Sequence, residues 1–252
     1  MERWSGRVAV VTGASAGIGA AIAQLLVKRG LRVVGLARRA DNIQALADSL
    51  KDAPGKLYAV KADLSKEEDI MVAFQWVKDN LGGVDLLVNN AAVAHNNNLA
   101  DGKTEQWRQL LEVNLLALSI CTREALQSMK ERSVDDGHIV HINSVAGHSV
   151  VDFPGIAFYS ATKHGVTALT EGLRKELACL KSGIRVTSIS PGAVDTDMLR
   201  VAIMHDEAFK DVLKDLPMLL PEDIAEAVEY AISVPARVQV HEITIHPTGE
   251  KF

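Results

Sequence analysis

The segment Tyr159-Ser160-Ala161-Thr162-Lys163 sets a phenol and an ammonium four residues apart. On a helix the two share a face, one turn apart. A free tyrosine has a pKa of about 10, too high for a base at neutral pH. A neighbouring ammonium stabilises the phenolate and lowers that value. The pair is thus a candidate acid–base centre. Taken alone, the same spacing also describes an ordinary helix surface, with a packed tyrosine and a solvated lysine. Two more side chains favour chemistry. Ser144 follows the apolar run His138-Ile139-Val140-His141-Ile142-Asn143. Ligands of open α/β sheets bind beyond the carboxyl ends of strands, where the Ser144 hydroxyl could hold a substrate oxygen. Asn114 interrupts an apolar helical stretch, 110–116. A buried amide needs partners, and a water relay to Lys163 would supply one.

A second constellation concerns phosphate. Val8-Ala9-Val10-Val11 leads into Thr12-Gly13-Ala14-Ser15-Ala16-Gly17-Ile18-Gly19, and a helical pattern follows. Gly13 permits a tight turn, Gly17 lets backbone approach a pyrophosphate, and Gly19 lets helix and strand pack closely. The helix start then offers free N–H groups to that phosphate, so Ser15, Ala16 and Ile18 also belong to the expected cradle. An acid at the tip of the second strand would select NAD through its ribose hydroxyl. The sequence reads Leu36-Ala37-Arg38-Arg39 instead. Two guanidiniums suit a 2′-phosphate, which points to NADP(H). Asp63 and Leu64, after the third strand, are placed to meet adenine. Asn90, after the fourth, is placed to line the cleft.

These residues need a scaffold that brings strand ends together. Seven β-rich runs are predicted, at 8–11, 32–36, 57–60, 86–88, 138–142, 185–189 and 242–245. Helical spacing fills 17–29, 41–51, 66–81, 105–131, 157–180 and 221–233. Near-continuous apolar strands belong to a parallel sheet buried on both faces, and strand–helix alternation makes right-handed βαβ units. The expected fold is α/β, a single-domain, Rossmann-type, doubly wound sheet of about seven strands with helices on both faces. Residues 1–143 would form its cofactor half and 144–252 its catalytic and substrate half. Asn96-Asn97-Asn98 reads as a loop, and Pro191 and Gly192 break the chain after the sixth strand. The less regular stretch 193–220 suggests a mobile cover over the strand ends.

Composition narrows the partners. With 32 Asp and Glu against 27 Lys and Arg, the net charge of −5 gives no basic surface for nucleic acid or an anionic membrane. No apolar run approaches a spanning helix, and the first residues lack the apolar core of a secretory signal. Cys121 and Cys179 read as small core hydrophobes, which fits a reducing, cytoplasmic setting. His138 and His141 lie three apart on a strand and face opposite sides, so no metal site is expected. His95 and His148 read as surface histidines. Helices 105–131 and 157–180 carry more apolar residues than one sheet face needs, and pairing across a two-fold axis would bury the excess.

Together these motifs resemble the short-chain dehydrogenase/reductase family over the whole chain. Thr12–Gly19 is similar to its cofactor signature, and Asn89-Asn90-Ala91-Ala92 to its Asn-Asn-Ala-Gly motif, with Ala92 standing where glycine is usual. Asn114, Ser144, Tyr159 and Lys163 match its catalytic tetrad, and Pro191-Gly192 its cofactor turn. Longer stretches (Met1–Trp4, 117–125, 128–132, 134–139 and 168–174) resemble the subfamily that holds insect farnesol dehydrogenases and a vertebrate ketosteroid and carbonyl reductase. The resemblance implies NADP(H), an isoprenoid or steroid-like alcohol or carbonyl, and a homodimer or homotetramer. It implies that Tyr159 exchanges the proton, Ser144 holds the oxygen and Lys163 lowers the Tyr159 pKa and holds the nicotinamide ribose. Ala91, Val194, Asp195 and Thr196 would touch the cofactor.

The expected activity is oxidation of an apolar alcohol, farnesol to farnesal, or reduction of ketosteroids and other carbonyls. Pocket candidates are Ala94, His95, Val150, Val151, Phe153, Ile156, Phe158 and the stretch from Met198 to Met204. Two other classes compete. A non-catalytic NADP(H)-binding sensor would have no need of Tyr159. A nucleotide-sugar epimerase or dehydratase would need a further substrate domain, for which 252 residues leave no room.

Overall fold

Alternate residues of the first strand enter different cores. Val8 and Val10 pack into one apolar cluster, Ala9 and Val11 into the other, because successive strand side chains point to opposite faces. The computed structural model describes residues 1–203 and 216–250. Seven strands form one parallel sheet: β1 Val8–Thr12, β2 Arg32–Ala37, β3 Lys56–Lys61, β4 Leu86–Asn89, β5 His138–Ile142, β6 Arg185–Pro191 and β7 Glu242–Ile245. Their order is β3-β2-β1-β4-β5-β6-β7. The helices are α1 Gly17–Lys28, α2 Ala40–Ser49, α3 Glu67–Leu81, α4 Thr104–Leu111, α5 Leu118–Glu131, α6 Ala157–Cys179, α7 Asp197–Ile203 and α8 Pro221–Ser233. This is the expected α/β class, and every predicted strand and helix has its counterpart.

The helices divide by their apolar stripes. In α3 the buried residues Ile70, Ala73, Phe74 and Val77 follow helical spacing, and Gly82 ends the helix in the left-handed region. Ile70, Phe74 and Val77 each contribute about 1.5–3 kcal/mol by their burial. These residues join Ile120 and Ala125 of α5 and Leu173 and Leu177 of α6 over one sheet face. Ile22 and Leu26 of α1, Ile43 of α2 and Val228 and Ile232 of α8 cover the other, with Trp4 beneath them.

Strand order reverses between β1 and β4, which pair through Ala9–Leu86 to Val11–Val88. A crevice for a ligand opens at such a switch point. The glycine loop after β1 and Asn90 after β4 flank it.

Four expectations change. Residues 105–131 are not one α-helix: between α4 and α5 the turn widens to a π-helical segment, Glu112–Ala117. Pro191 is the last residue of β6, paired with Ile245, rather than the break after it. Its missing N–H costs nothing at a strand end. Within 193–220, α7 gives regular structure; 204–215, with Met204 among the pocket candidates, lie outside the described residues. Cys121 is buried as expected, but Cys179, the last residue of α6, is exposed. No helix among the described residues is long and apolar enough to cross a membrane.

Candidate active site

Ser144, Tyr159 and Lys163 converge beyond the ends of β4 and β5. Ser144 lies two residues past β5 in extended backbone and caps a short 3-10 turn, accepting the Ala146 N–H at 3.1 Å. Its hydroxyl also bonds the Tyr159 phenol. Tyr159 and Lys163 stand one turn apart on α6, and the Lys163 Nζ lies 5.7 Å from the centre of the Tyr159 ring. Lys163 is 3% exposed, and its Nζ donates to the Ile142 carbonyl at 2.9 Å.

The electrostatics correct one expectation. Burial pushes the Tyr159 phenol up to about 12, and the Ser144 hydrogen bond only partly offsets this. Lys163 goes the other way, down to about 8, because burial disfavours its charge. The phenol in this protein is therefore held protonated rather than made acidic. Desolvation outweighs the Ser144 hydrogen bond.

Asn114 sits on the π-helical segment, which turns its amide inward. A widened turn inside a helix often marks a functional position. Its Oδ1 accepts the Val93 N–H at 2.9 Å, and its Nδ2 donates to the Val93 carbonyl and to Thr162 Oγ1. The buried amide is thus satisfied by protein groups, and the need that suggested a water relay to Lys163 is already met. Thr162, which donates in turn to the Tyr159 carbonyl at 2.7 Å, escaped the sequence reading. Its place between Tyr159 and Lys163 was the available signal.

The glycine loop is tight. A Cβ at Gly19 would run into both Asn90 Nδ2 and the Gly13 carbonyl oxygen. Gly13 and Gly17 occupy the left-handed region, at φ of +69° and +52°. Asn90 braces this loop, donating to the Thr12 carbonyl at 2.8 Å, while Thr12 Oγ1 accepts the N–H groups of Asn90 and Ala91. Ala16 caps α1 without a side-chain hydrogen bond, so the first N–H groups, near Ser15, Gly17 and Ile18, stay available to an anion. Thr196 faces the loop: its Cγ2 would be 3.1 Å from a Cβ at Gly17.

Arg38 and Arg39 are exposed at the tip of β2, and no hydrogen bond or ion pair among the described residues engages either guanidinium. Asp63 accepts from Ser65, which lowers its pKa, helped by the nearby Arg38 charge. Leu64 is buried in the core with Phe74. Gly192 donates to the Ile245 carbonyl, Val194 is buried beside Leu219, and Asp195 pairs with Arg200 at 2.6 Å. A glycine cradle, an uncapped helix start and two free guanidiniums fit a phosphate-bearing dinucleotide.

The pocket candidates separate. Val150, Val151, Phe153 and Ile156 line a cavity of about 390 Å³ with Leu99 and Asn98. Phe158 instead stacks on Trp107, with ring centres 5.5 Å apart. His95 is half-buried and bonds Gln109 at 2.8 Å, so it is not a plain surface histidine, whereas His148 is exposed as expected and bonds Ser190 at 3.0 Å. His138 and His141 do face opposite sides: His138 bonds Thr187, His141 bonds Thr170. Among the described residues no cluster of His, Cys, Asp or Glu could hold a metal.

A nucleotide crevice and a half-buried tyrosine above a buried lysine describe the dehydrogenase class of the doubly wound fold, and the comparisons agree. The short chain dehydrogenase family matches residues 7–206. This chain belongs to the short-chain dehydrogenase/reductase family and is an oxidoreductase of it. It is 52% identical to the farnesol dehydrogenase of Aedes aegypti over 254 residues, all of both chains. It is 51% identical to dehydrogenase/reductase SDR family member 11 of Homo sapiens over 255 residues, 99% of this chain and 97% of the other. Among solved structures, the closed form of serine dehydrogenase complexed with NADP+ superposes with a TM-score of 0.85 at 30% identity, covering 97% of this chain and 96% of that one. A single-residue variant of actinorhodin polyketide ketoreductase with NADPH also gives 0.85, at 32% identity and 98% coverage of both.

Proposed function

We propose that this protein interconverts an apolar alcohol and its carbonyl with NADP(H), farnesol and farnesal being the first pair to test. The observation that carries the reading is the convergence of the Ser144 hydroxyl and the Lys163 ammonium on the Tyr159 phenol. A bound nicotinamide supplies or accepts the hydride. In reduction Tyr159 donates its Oη proton to the carbonyl oxygen, Ser144 holds that oxygen, and Lys163 stabilises the phenolate left behind. In oxidation the proton returns along the same path. Asn114 and Thr162 hold the turn that carries Tyr159.

The free Arg38 and Arg39 support NADP(H) over NAD(H), as do the NADP+ and NADPH in the two related structures. Gly13, Ser15, Ala16, Gly17, Ile18 and Gly19 would take the pyrophosphate, Asp63, Leu64, Asn90 and Ala91 the adenosine side and cleft wall, and Pro191, Gly192, Val194, Asp195 and Thr196 the nicotinamide end. The aliphatic and aromatic lining around Val150 and Phe153 suits an isoprenoid tail, and the name of the Aedes aegypti relative supports that choice. The exposed Leu111, Leu116 and Leu169 favour a homodimer or homotetramer through α4 to α6. Two free cysteines fit a cytoplasmic setting.

General carbonyl reduction is the second reading, favoured by the protonated state of Tyr159. Nicotinamide absorbance with purified protein decides between them. Farnesol oxidation with NADP+ supports the first, activity on carbonyls and NADPH alone the second, and turnover retained by Tyr159→Phe overturns both.

A further inference from the structure

The chain after β7 returns to the cofactor turn. Glu250 lies in the turn 247–250, where its N–H donates to the Pro247 carbonyl. Its side chain is only 5% exposed. Oε1 accepts the Ala193 N–H at 3.1 Å, and Oε2 pairs with His246 Nδ1. A Cβ at Gly192 would lie 2.6 Å from Oε2 and 2.7 Å from Oε1. The glycine of the Pro191-Gly192 turn thus leaves the room that a carboxylate of this same chain fills, and a side chain there would displace it. A buried charge survives only with partners, and a backbone N–H gives it a strong, directional one.

The contact reaches further than Ala193. The Ala193 carbonyl accepts the Leu219 N–H at 2.8 Å, and the Asp195 N–H donates to the Leu219 carbonyl at 2.9 Å. Residues 193–195 are therefore clamped between Leu219 on one side and Glu250 on the other. Thr196, the next residue, is the one that faces Gly17 across the cleft. Loss of Glu250 would leave the Ala193 N–H without its acceptor and one side of the clamp open.

We propose that Glu250 is a positioning residue: through Ala193 it sets Val194–Thr196 against the nicotinamide half of the cofactor, while the adenosine half is held independently at β2. This rests on the reading of 192–196 as the nicotinamide-side contact.

The test separates the two halves. Binding of NADPH and of adenosine 2′,5′-bisphosphate, which lacks the nicotinamide half, is measured by calorimetry for the whole protein and for Glu250→Ala and Glu250→Gln. Glu250→Ala is expected to weaken NADPH about tenfold and leave the bisphosphate within about twofold. Glu250→Gln keeps an acceptor for Ala193 and should recover most of the NADPH affinity. Hydrogen exchange across 190–196, without ligand, should quicken in Glu250→Ala and much less in Glu250→Gln. Equal weakening of both ligands would mean a general loss of structure and overturn the proposal, as would unchanged NADPH binding or unchanged exchange in Glu250→Ala. If the unaltered protein binds neither ligand, the cofactor reading falls first and the proposal with it, and the exchange measurement still reports whether the clamp exists.

Discussion

The Lys163 Nζ lies 5.7 Å from the centre of the Tyr159 ring while donating at 2.9 Å to the carbonyl of Ile142, the last residue of β5. One ammonium thus anchors α6 to the strand end and faces the phenol. Its own titration, rather than that of the phenol, then governs the site at moderate pH. Tyr159 is pushed up to about 12 and stays protonated; Lys163 is brought down to about 8.

Carbonyl reduction should therefore be level near neutrality and fall as pH passes about 8, where Lys163 loses the charge that stabilises the phenolate left by proton transfer. The kcat/KM profile for a ketone with NADPH checks this. A profile still level at about pH 10 would assign no role to the ammonium.

Replacing Arg38 and Arg39 together by alanine should raise the dissociation constant for NADPH about 10- to 100-fold, the worth of one or two charge-assisted hydrogen bonds to a phosphate. NADH binding should stay within about twofold. Equal losses for the two cofactors would show that the guanidiniums act on something common to both.

The sheet and its helices were legible because near-continuous apolar runs and a 3.6-residue helix period leave plain traces in Val8 to Val11 and in Ile70 to Val77. The site was legible where chemistry is local in sequence: Gly13 to Gly19, and Tyr159 to Lys163. Three things were hidden for physical reasons. The π-helical turn at Asn114 adds one residue to a helical pattern, and an apolar stretch masks the slip. The direction of the Tyr159 shift depends on burial, a property of the packed state. Glu250 meets Ala193 across 57 residues, so no spacing could announce it. Phe158 carries no such mark either: an apolar residue beside a catalytic one reads alike whether it lines a pocket or stacks on Trp107.

Acid should destabilise this protein through two buried imidazoles. His138 and His141 are 0% and 1% exposed, and burial lowers each from 6.5 to about 3. Below 6.5 the unfolded chain binds protons that the folded chain refuses, so stability is whole above that value and falls as pH drops toward 3. The loss is about 1.4 kcal/mol per histidine per pH unit, on the order of 4 kcal/mol for both at about pH 5. Urea midpoints between about pH 7 and about pH 5 should decline steeply in the unaltered protein and more shallowly in a His138→Gln, His141→Gln double variant. Parallel curves would show that other groups carry the acid sensitivity.

Lys163 should trade stability for function. Its fall from 10.5 to about 8 corresponds to on the order of 3 kcal/mol against folding at neutral pH. Lys163→Met removes the buried charge at similar length but also the Ile142 hydrogen bond, worth about 1 kcal/mol. The variant is expected to gain about 1–2 kcal/mol at about pH 7 while losing activity by about 100-fold or more. The sign of the pH dependence makes the cause visible. Between about 8 and 10.5 the folded lysine has shed its proton and the unfolded one has not, so the unaltered protein grows more stable with rising pH and the advantage of the variant shrinks. Denaturant unfolding of both proteins at about pH 7 and at about pH 10 measures the difference. A variant less stable at neutral pH, or an advantage that widens with pH, would mean that the ammonium stabilises this fold more than its burial costs.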